Sequence, residues 1–517
     1  MNKTAIGWAT FAFIGLNLLV SSHAVASPSD GACELRVNDT SAKLVECIQS
    51  QALWHHLKAF QWIADQNPGP GGHGNRNTGT SGYKASVDYV AGLMRGAGYR
   101  VTIQPYKWAD FSVTGVPAFD AAGQTYRISQ DWFVARLSGS GILTALAQPT
   151  GGAGAAAVRD SNTGCSRSDF AGFVPGHIAL LQRGSCAYDT EVANAEATGA
   201  AAVIIYNSKG APGEAGRGER RDGGAFEAQL VSPANIPVVG VVSYAVGEGL
   251  SRRFSAGNAP AVHLDIRTRH RSDIDYNLIV DSPLGDPHHV VVVDAHLDSI
   301  YGAGMLDNAS GSTTILEIAL EMARTRTRNQ LRYIWFGGEE LGLLGSRTYT
   351  KTLTTKELRR IVFDIDVDVT ATPNFAILVA DPAHAHNVKR FPPDVVKDSR
   401  VGNRDFAEYF SSVGVESRNA NFGNDGTDSN SFSLVGVPNS GILTQQDCCK
   451  HPWEVSLWGG FLGNFEGKIP GFNGGCVDRP HRWCDNLSNN DRFVLEFVSR
   501  AVAYVTLKLA NDASLRH

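Results

Sequence analysis

Two hydrophobic periodicities alternate along the chain. From about Ala42 to Gln66, the residues Leu44, Ile48, Leu53, Leu57, Phe60 and Ile63 recur mostly at three- and four-residue spacings, which predicts a helix. A polar, glycine-rich stretch from Pro68 to Ser81 follows. Val87, Tyr89, Val90, Leu93 and Met94 then form a second stripe, stopped by Gly96 and Gly98. Arg100–Gln104 alternates like a half-buried strand. The same grammar returns after Tyr276. Val290–Val293 and Leu331–Phe336 read as buried strands, and Ser312–Arg324 reads as a helix carrying Ile315, Leu316, Ile318, Ala319 and Met322. Ile361–Val369 alternates apolar and acidic residues. Repeated helix–strand alternation predicts an α/β core.

Between Gly139 and Arg267 the texture changes. Gly151–Ala157 and Gly210–Gly224 are small-residue or charged loops, and Ile178–Leu181 and Ala201–Tyr206 are short buried strands between them. That length supports a core of its own, so these residues are expected to form an inserted domain. The expected organisation is a leader over 1–26, a first part of the main domain over 27–138, the insert over 139–267, and the remainder of the main domain over 268–517.

The leader is read from Lys3, the apolar run Ala5–Val20 and the small residues Ala24-Val25-Ala26 ahead of Ser27, which together describe a secretory signal. Gly7, Thr10, Gly15 and Asn17 make the run a poor membrane span, and no later stretch is apolar and long enough to be one. The mature chain is therefore expected to carry no membrane span and to be secreted or periplasmic. Export permits disulfides. The 8 cysteines fall in local groups, Cys33/Cys47, Cys165/Cys186 and Cys448, Cys449, Cys476, Cys484, which suggests four bridges with the pairing inside the last group open. A net charge of −5 removes the basic footprint of a nucleic-acid binder.

Four segments place imidazole or carboxylate groups where strands end, the place where open α/β sheets build sites. His296-Leu-Asp298 follows the first buried strand. Asp307-Asn-Ala-Ser-Gly311 precedes the Ser312 helix. Glu339-Glu340 follows the strand Leu331–Phe336, and Asp364, Asp366 and Asp368 share one face of a period-two segment. Alone, each is weak: paired glutamates usually mark a solvated helix face, and a lone His-x-Asp is usually structural. Together they supply the imidazole and carboxylate inventory of a borderline cation and of a two-metal hydrolytic centre, lacking only a second histidine.

From Asp294 onward, and more loosely from Gln66, the chain resembles the co-catalytic di-zinc aminopeptidases, the secreted bacterial leucine aminopeptidases among them. The segments carrying the resemblance are Ala295-His-Leu-Asp-Ser299, Asp307-Asn-Ala-Ser-Gly311, Trp335-Phe-Gly-Gly-Glu-Glu-Leu-Gly342, Thr372-Pro-Asn-Phe375 and His481-Arg-Trp-Cys-Asp-Asn-Leu-Ser488. The run from Cys165 through Arg183-Gly-Ser-Cys186 to Tyr206-Asn207 resembles a protease-associated domain, which implies a Cys165–Cys186 bridge. The resemblance implies the zinc exopeptidase fold, a mixed sheet flanked by helices with a small β-rich insert. It also implies two Zn2+ per chain, a peptide or protein substrate and hydrolysis at the N-terminal peptide bond. Carried over residue by residue, Asp307 would bridge the metals, His296 and Asp368 would complete one, and Glu340 and His481 the other. Glu339 would be the general base, and Asp298 would orient His296 through its other ring nitrogen.

Asp368 is preferred over Asp364 because Asp368-Val-Thr-Ala-Thr-Pro-Asn-Phe375 matches the family spacing without a gap, and His481 over His451 because of its surrounding motif. His55-His56, His288-His289 and His384-x-His386 read as ordinary polar histidines. Two departures bear on specificity. Pro480 stands where many relatives place a tyrosine, and Asp425-Gly-Thr-Asp428 stands where secreted aminopeptidases often carry arginine and serine. A carboxypeptidase or other small-amide hydrolase using the same centre is therefore the alternative. A binding protein without activity would be expected to lack ligands or base, and every position is filled.

Overall fold

The computed structural model describes residues 33, 36–69, 72–151, 163–184, 186–209, 223–385, 388–420, 426–467, 476 and 483–515. The expected leader over 1–26 lies outside them, and no helix among them is long and apolar enough to cross a membrane. In chain order the strands are β1 (Arg100–Val113), β2 (Ala118–Ala121), β3 (Gln124–Thr125), β4 (Gly141–Pro149), β5 (Ile178–Gln182), β6 (Ala202–Tyr206), β7 (Val238–Val242), β8 (Ala261–Ile266) and β9 (Thr268–Asp281). Then come β10 (Asp286–His296), β11 (Asn329–Phe336), β12 (Ile361–Val367), β13 (Leu378–Ala380), β14 (Arg418–Ala420), β15 (Asn439–Leu443), β16 (Cys448–Lys450) and β17 (Gly463–Asn464).

The main sheet has eight strands in the order β1-β9-β11-β10-β12-β15-β13-β14. Its centre, β11-β10-β12-β15, is parallel, and antiparallel neighbours flank it. Strand residues alternate faces, so Val291, Val293 and Ala295 of β10 enter the core beneath the helices Ser50–Gln66, Ser81–Gly96, Ala309–Met322 and Arg492–Asn511. Val290 and Val292 pack on the other side with Ile334, Phe336, Tyr349 and Phe432. Both faces are covered, which is why the parallel strands are apolar almost throughout.

β1 and β9 pair over their whole length, from Arg100↔Asp281 to Val113↔Thr268. One end of this ribbon joins the main sheet through β11. Its other end leads into a second, seven-stranded sheet in the order β3-β2-β8-β4-β5-β6-β7, with its own apolar clusters on the two faces. The second sheet takes in β2 and β3, upstream of the expected boundary at Gly139. Those two strands carry no composition signal of their own; pairing with β8 is what places them there. The loops Gly151–Ala157 and Gly210–Gly224 lie almost entirely outside the described residues.

The helix expected over Ala42–Gln66 is two helices, Ser41–Cys47 and Ser50–Gln66, with Ile48 and Gln49 extended between them. The step from Ile48 to Leu53 is the physical reason. Five residues advance a helix by about 500°, so the two stripes point about 140° apart and one straight rod cannot bury both. Breaking the helix lets Ile48 and Leu53 both reach zero exposure. Cys33–Cys47, Cys165–Cys186 and Cys476–Cys484 are bridged, Cys449 is also disulfide-bonded, and no described cysteine is free.

Candidate active site

Parallel strands put all their carboxyl ends on one edge, and β10, β11 and β12 deliver the predicted residues there. β10 ends in His296, whose Nε2 lies 2.9 Å from Asp307 Oδ1 and 3.4 Å from Asp368 Oδ1. Ligand atoms of His296, Asp307 and Glu340 all lie within 4.8 Å of one another. Asp307 Oδ1 and Asp368 Oδ1 are buried, accept no hydrogen bond and face the imidazole edge. An imidazole and converging carboxylates with oxygens left over suit a cation of the zinc class, so the donor set fits the group implied by the sequence.

Register separates Asp364 and Asp366 of β12 from Asp368, one residue past its end. Val292 pairs with Asp364 and Asp294 with Asp366, which puts Asp368 level with His296. Asp364 lies four residues back, about 13 Å along the strand. It packs instead with Asp294 and Asp366, beside Asp428, in a buried acidic layer beneath the site. Burial first, then repulsion within this layer, pushes Asp294, Asp364 and Asp428 well above the usual carboxylate range; burial and then Asp368 push Asp366 up to about 6. Burial also raises Glu339, with Asp428, Asp368 and Asp307 adding to it and His296 opposing. For His296 the balance is reversed: burial disfavours its charge, yet Glu339, Asp298, Asp307 and Asp368 hold its pKa well above that of a free imidazole.

Asp298 faces the Nδ1 side of the His296 ring; Nδ1 lies 3.1 Å from its backbone carbonyl and 3.6 Å from its carboxylate. The carboxylate also accepts from the Glu339 N–H at 3.3 Å and the Thr78 hydroxyl at 2.9 Å. It therefore joins the loop after β10 to the loop after β11. Glycines let that second loop turn so tightly; a Cβ on Gly337 would lie 2.0 Å from the Tyr83 hydroxyl. The Glu339 carbonyl then accepts from the N–H groups of Gly342 and Leu343, both at 2.8 Å.

Several supporting residues carried no readable signal. Arg76 has zero exposure and donates to the carbonyls of Leu297, Ala303 and Gly304, clamping the His296 and Asp307 loops together. Asn308 caps the helix Ala309–Met322 and also holds Val367 O and Val369 N, fastening Asp307 to the Asp368 turn. Asp485 accepts from Leu306 N at 2.7 Å and Asp307 N at 3.2 Å. Gln446, beyond the end of β15, hydrogen-bonds Asp307. Its position after the fourth parallel strand is the signal that would have found it. Left-handed Leu343, Val369, Gln445 and Asp447 border the same edge, where backbone strain is characteristic of functional sites.

His481, Pro480 and Asp425 lie outside the described residues. His451 begins the helix Pro452–Trp458 and belongs to no described ligand cluster. His56, read as an ordinary polar residue, is buried between Tyr89 at 2.7 Å and Glu317 at 3.3 Å and links three helices. His289 and His384 pair with Asp286 and Asp381; His386 is outside the described residues.

A family model described as Peptidase family M28 matches residues 277–506, and one described as PA domain matches residues 151–250. The aminopeptidase of Pseudomonas aeruginosa (strain UCBPP-PA14) is 31% identical over 474 residues, 90% of this chain and 82% of its own. The chain belongs to peptidase family M28. The M28 fold extends over nearly its whole length: an aminopeptidase from Aneurinibacillus sp. strain AM-1 matches with a TM-score of 0.68 at 19% identity, covering 92% of this chain and 97% of that one. A zinc aminopeptidase from Bacillus subtilis matches at 0.55 and 22% identity, covering 89% and 95%. The PA match falls within the second sheet, so this M28 peptidase carries an inserted PA domain.

Proposed function

We propose that the protein is an exported exopeptidase that removes N-terminal residues from peptides and proteins with the help of two zinc ions. The observation that carries this reading is the convergence of Asp307 and Asp368 on His296 Nε2, with Glu340 beside them and Glu339 next in sequence. His296, Asp307, Asp368, Glu340 and His481 would hold the metals, with Asp307 shared between them. When bound, the zinc pair lowers the pKa of water and polarises the scissile carbonyl.

The protein's own groups do the rest. Glu339 takes the proton of the attacking water and passes it to the leaving amine, a transfer suited to a carboxylate whose pKa burial has raised. Asp298 keeps Glu339 in place through its backbone N–H. Arg76 and Asp485 hold the Asp307 loop in place against the mutual repulsion of the converging carboxylates. Three described disulfides accord with export. Of the segment Asp425–Asp428, which with Pro480 prompted the carboxypeptidase alternative, Asp428 is 1% exposed and belongs to the acidic layer, while Asp425 and Pro480 lie outside the described residues.

The test is digestion of one peptide with a free and with an acetylated N-terminus by purified mature protein, with metal analysis of the same sample. Release of the first residue from the free peptide alone, loss of activity with chelator and recovery with zinc are expected. Equal cleavage of the acetylated peptide would overturn the N-terminal assignment.

A further inference from the structure

Among the described residues, the PA insert meets the active-site edge through the stretch Glu227–Val231. The Tyr301 hydroxyl, on the loop that follows His296 and Asp298, donates to Glu227 Oε2 at 2.9 Å. Val231 rests on Gly342, two residues past Glu340; a Cβ there would lie 2.6 Å from Val231 Cγ2, so only glycine admits the contact. The stretch therefore spans from the histidine loop to the glutamate loop.

It is also rigidly built. Arg136 donates to Leu230 O at 3.0 Å and to Ala109 O at 2.9 Å, tying the stretch to the β1–β9 ribbon. Asp189 accepts from Val231 N at 3.0 Å and Ser232 N at 2.8 Å. His296, Asp307 and Glu339 are all 9% exposed or less, while Glu340 is only half-buried. The least buried member of the cluster is thus two residues from Gly342, where Val231 stands.

We infer that Glu227–Val231 forms one wall of the cleft along which the peptide beyond the scissile bond runs, and that the Tyr301–Glu227 hydrogen bond is the positioning contact that holds this wall to the catalytic loops. A single-residue amide ends before reaching it. A longer peptide lies along it and depends on where it stands. The inference rests on the exopeptidase reading above, and the substrate of the insert is then the body of the peptide, not its first side chain.

Steady-state kinetics on the full mature, zinc-loaded protein, with leucine p-nitroanilide and a leucine-initiated hexapeptide, test it. Tyr301→Phe and Glu227→Ala should each raise KM for the hexapeptide about tenfold, with kcat on that peptide within about twofold. Glu227→Gln should keep KM near that of the unmodified protein, because its amide oxygen still accepts the phenolic proton. The double variant Tyr301→Phe/Glu227→Ala should match either single one, since both remove one bond. An unchanged hexapeptide KM in both single variants, an equal shift for the anilide, or additive effects in the double variant would overturn the clasp while leaving the exopeptidase reading intact. Failure of the unmodified protein to cleave either substrate would overturn both.

Discussion

The two sheets share a device and use it differently. Each has a parallel run of apolar strands, β11-β10-β12-β15 in the main sheet and β4-β5-β6-β7 in the insert. In the insert, most polar groups near the strand ends meet the backbone: Asn207 donates to Gly224 O, Asp189 accepts two N–H groups, and Glu191 accepts Gly184 N through one oxygen while its other oxygen is buried without a partner. Glu191 is also pushed up to about 8 by burial, so it is neutral at pH 7. In the main sheet, the buried Oδ1 atoms of Asp307 and Asp368 have only the His296 ring nitrogen near them, above Asp294 and Asp364, whose buried carboxylate oxygens have no hydrogen-bond partner. Folding ordinarily pairs buried polar atoms, because leaving one unmade costs about 1–3 kcal/mol. A sheet edge that leaves several unpaired is built for something that arrives after folding.

That contrast can be broken or sharpened. The largest effect is expected from Glu339→Ala, which should lower kcat by about a thousandfold while zinc content stays as it was, because a general base is worth roughly 10²–10⁴. Full turnover would remove Glu339 from its role. Asp368→Asn should weaken zinc binding more than about tenfold by titration calorimetry, whereas Asp364→Asn, far from His296, should leave it within about threefold. The reverse ranking would move the ligand.

A third test concerns pH in chelator-treated protein. Burial pushes Asp275 and Asp485 up to about 7, above their ordinary value near 4. A raised carboxyl binds its proton more tightly in the folded state. Its contribution is therefore complete at acid pH and is lost as pH rises from about 4 to about 7. Stability measured by urea unfolding should fall over that window by a few kcal/mol. A rise across it would show these groups ionised in the fold. The smallest effect belongs to the insert: Glu191→Gln should change the melting temperature by no more than about 2 °C at pH 7, since it replaces one neutral buried group with another. A large loss would mean that Glu191 is charged, and the contrast between the sheets would narrow.

Much of the site was legible because its residues sit where a periodic pattern stops. His296 closes an apolar strand, Glu339-Glu340 follows another across two glycines, and Asp307 precedes a helix start. Local rules reveal such positions. The break at Ile48-Gln49 was also present in the spacing, as a five-residue step that fits no single helix. The roles of Arg76 and Gln446 were not legible, since each acts over more than a hundred residues of chain and leaves no local period, and Asp485 was marked only as part of the His481–Ser488 motif without its role.

The order of residues thus determined which segments end in chemistry and which cation class those groups suit, because periodicity and side-chain type are properties of short stretches. Only the folded chain decided that Arg76 clamps the His296 and Asp307 loops, that the Asp298 carboxylate reaches the Glu339 N–H, and that β2 and β3 belong to the insert's sheet. Those outcomes depend on strand register and on contacts between distant loops. Such quantities are set by the packing of the whole molecule, and no window of sequence contains them.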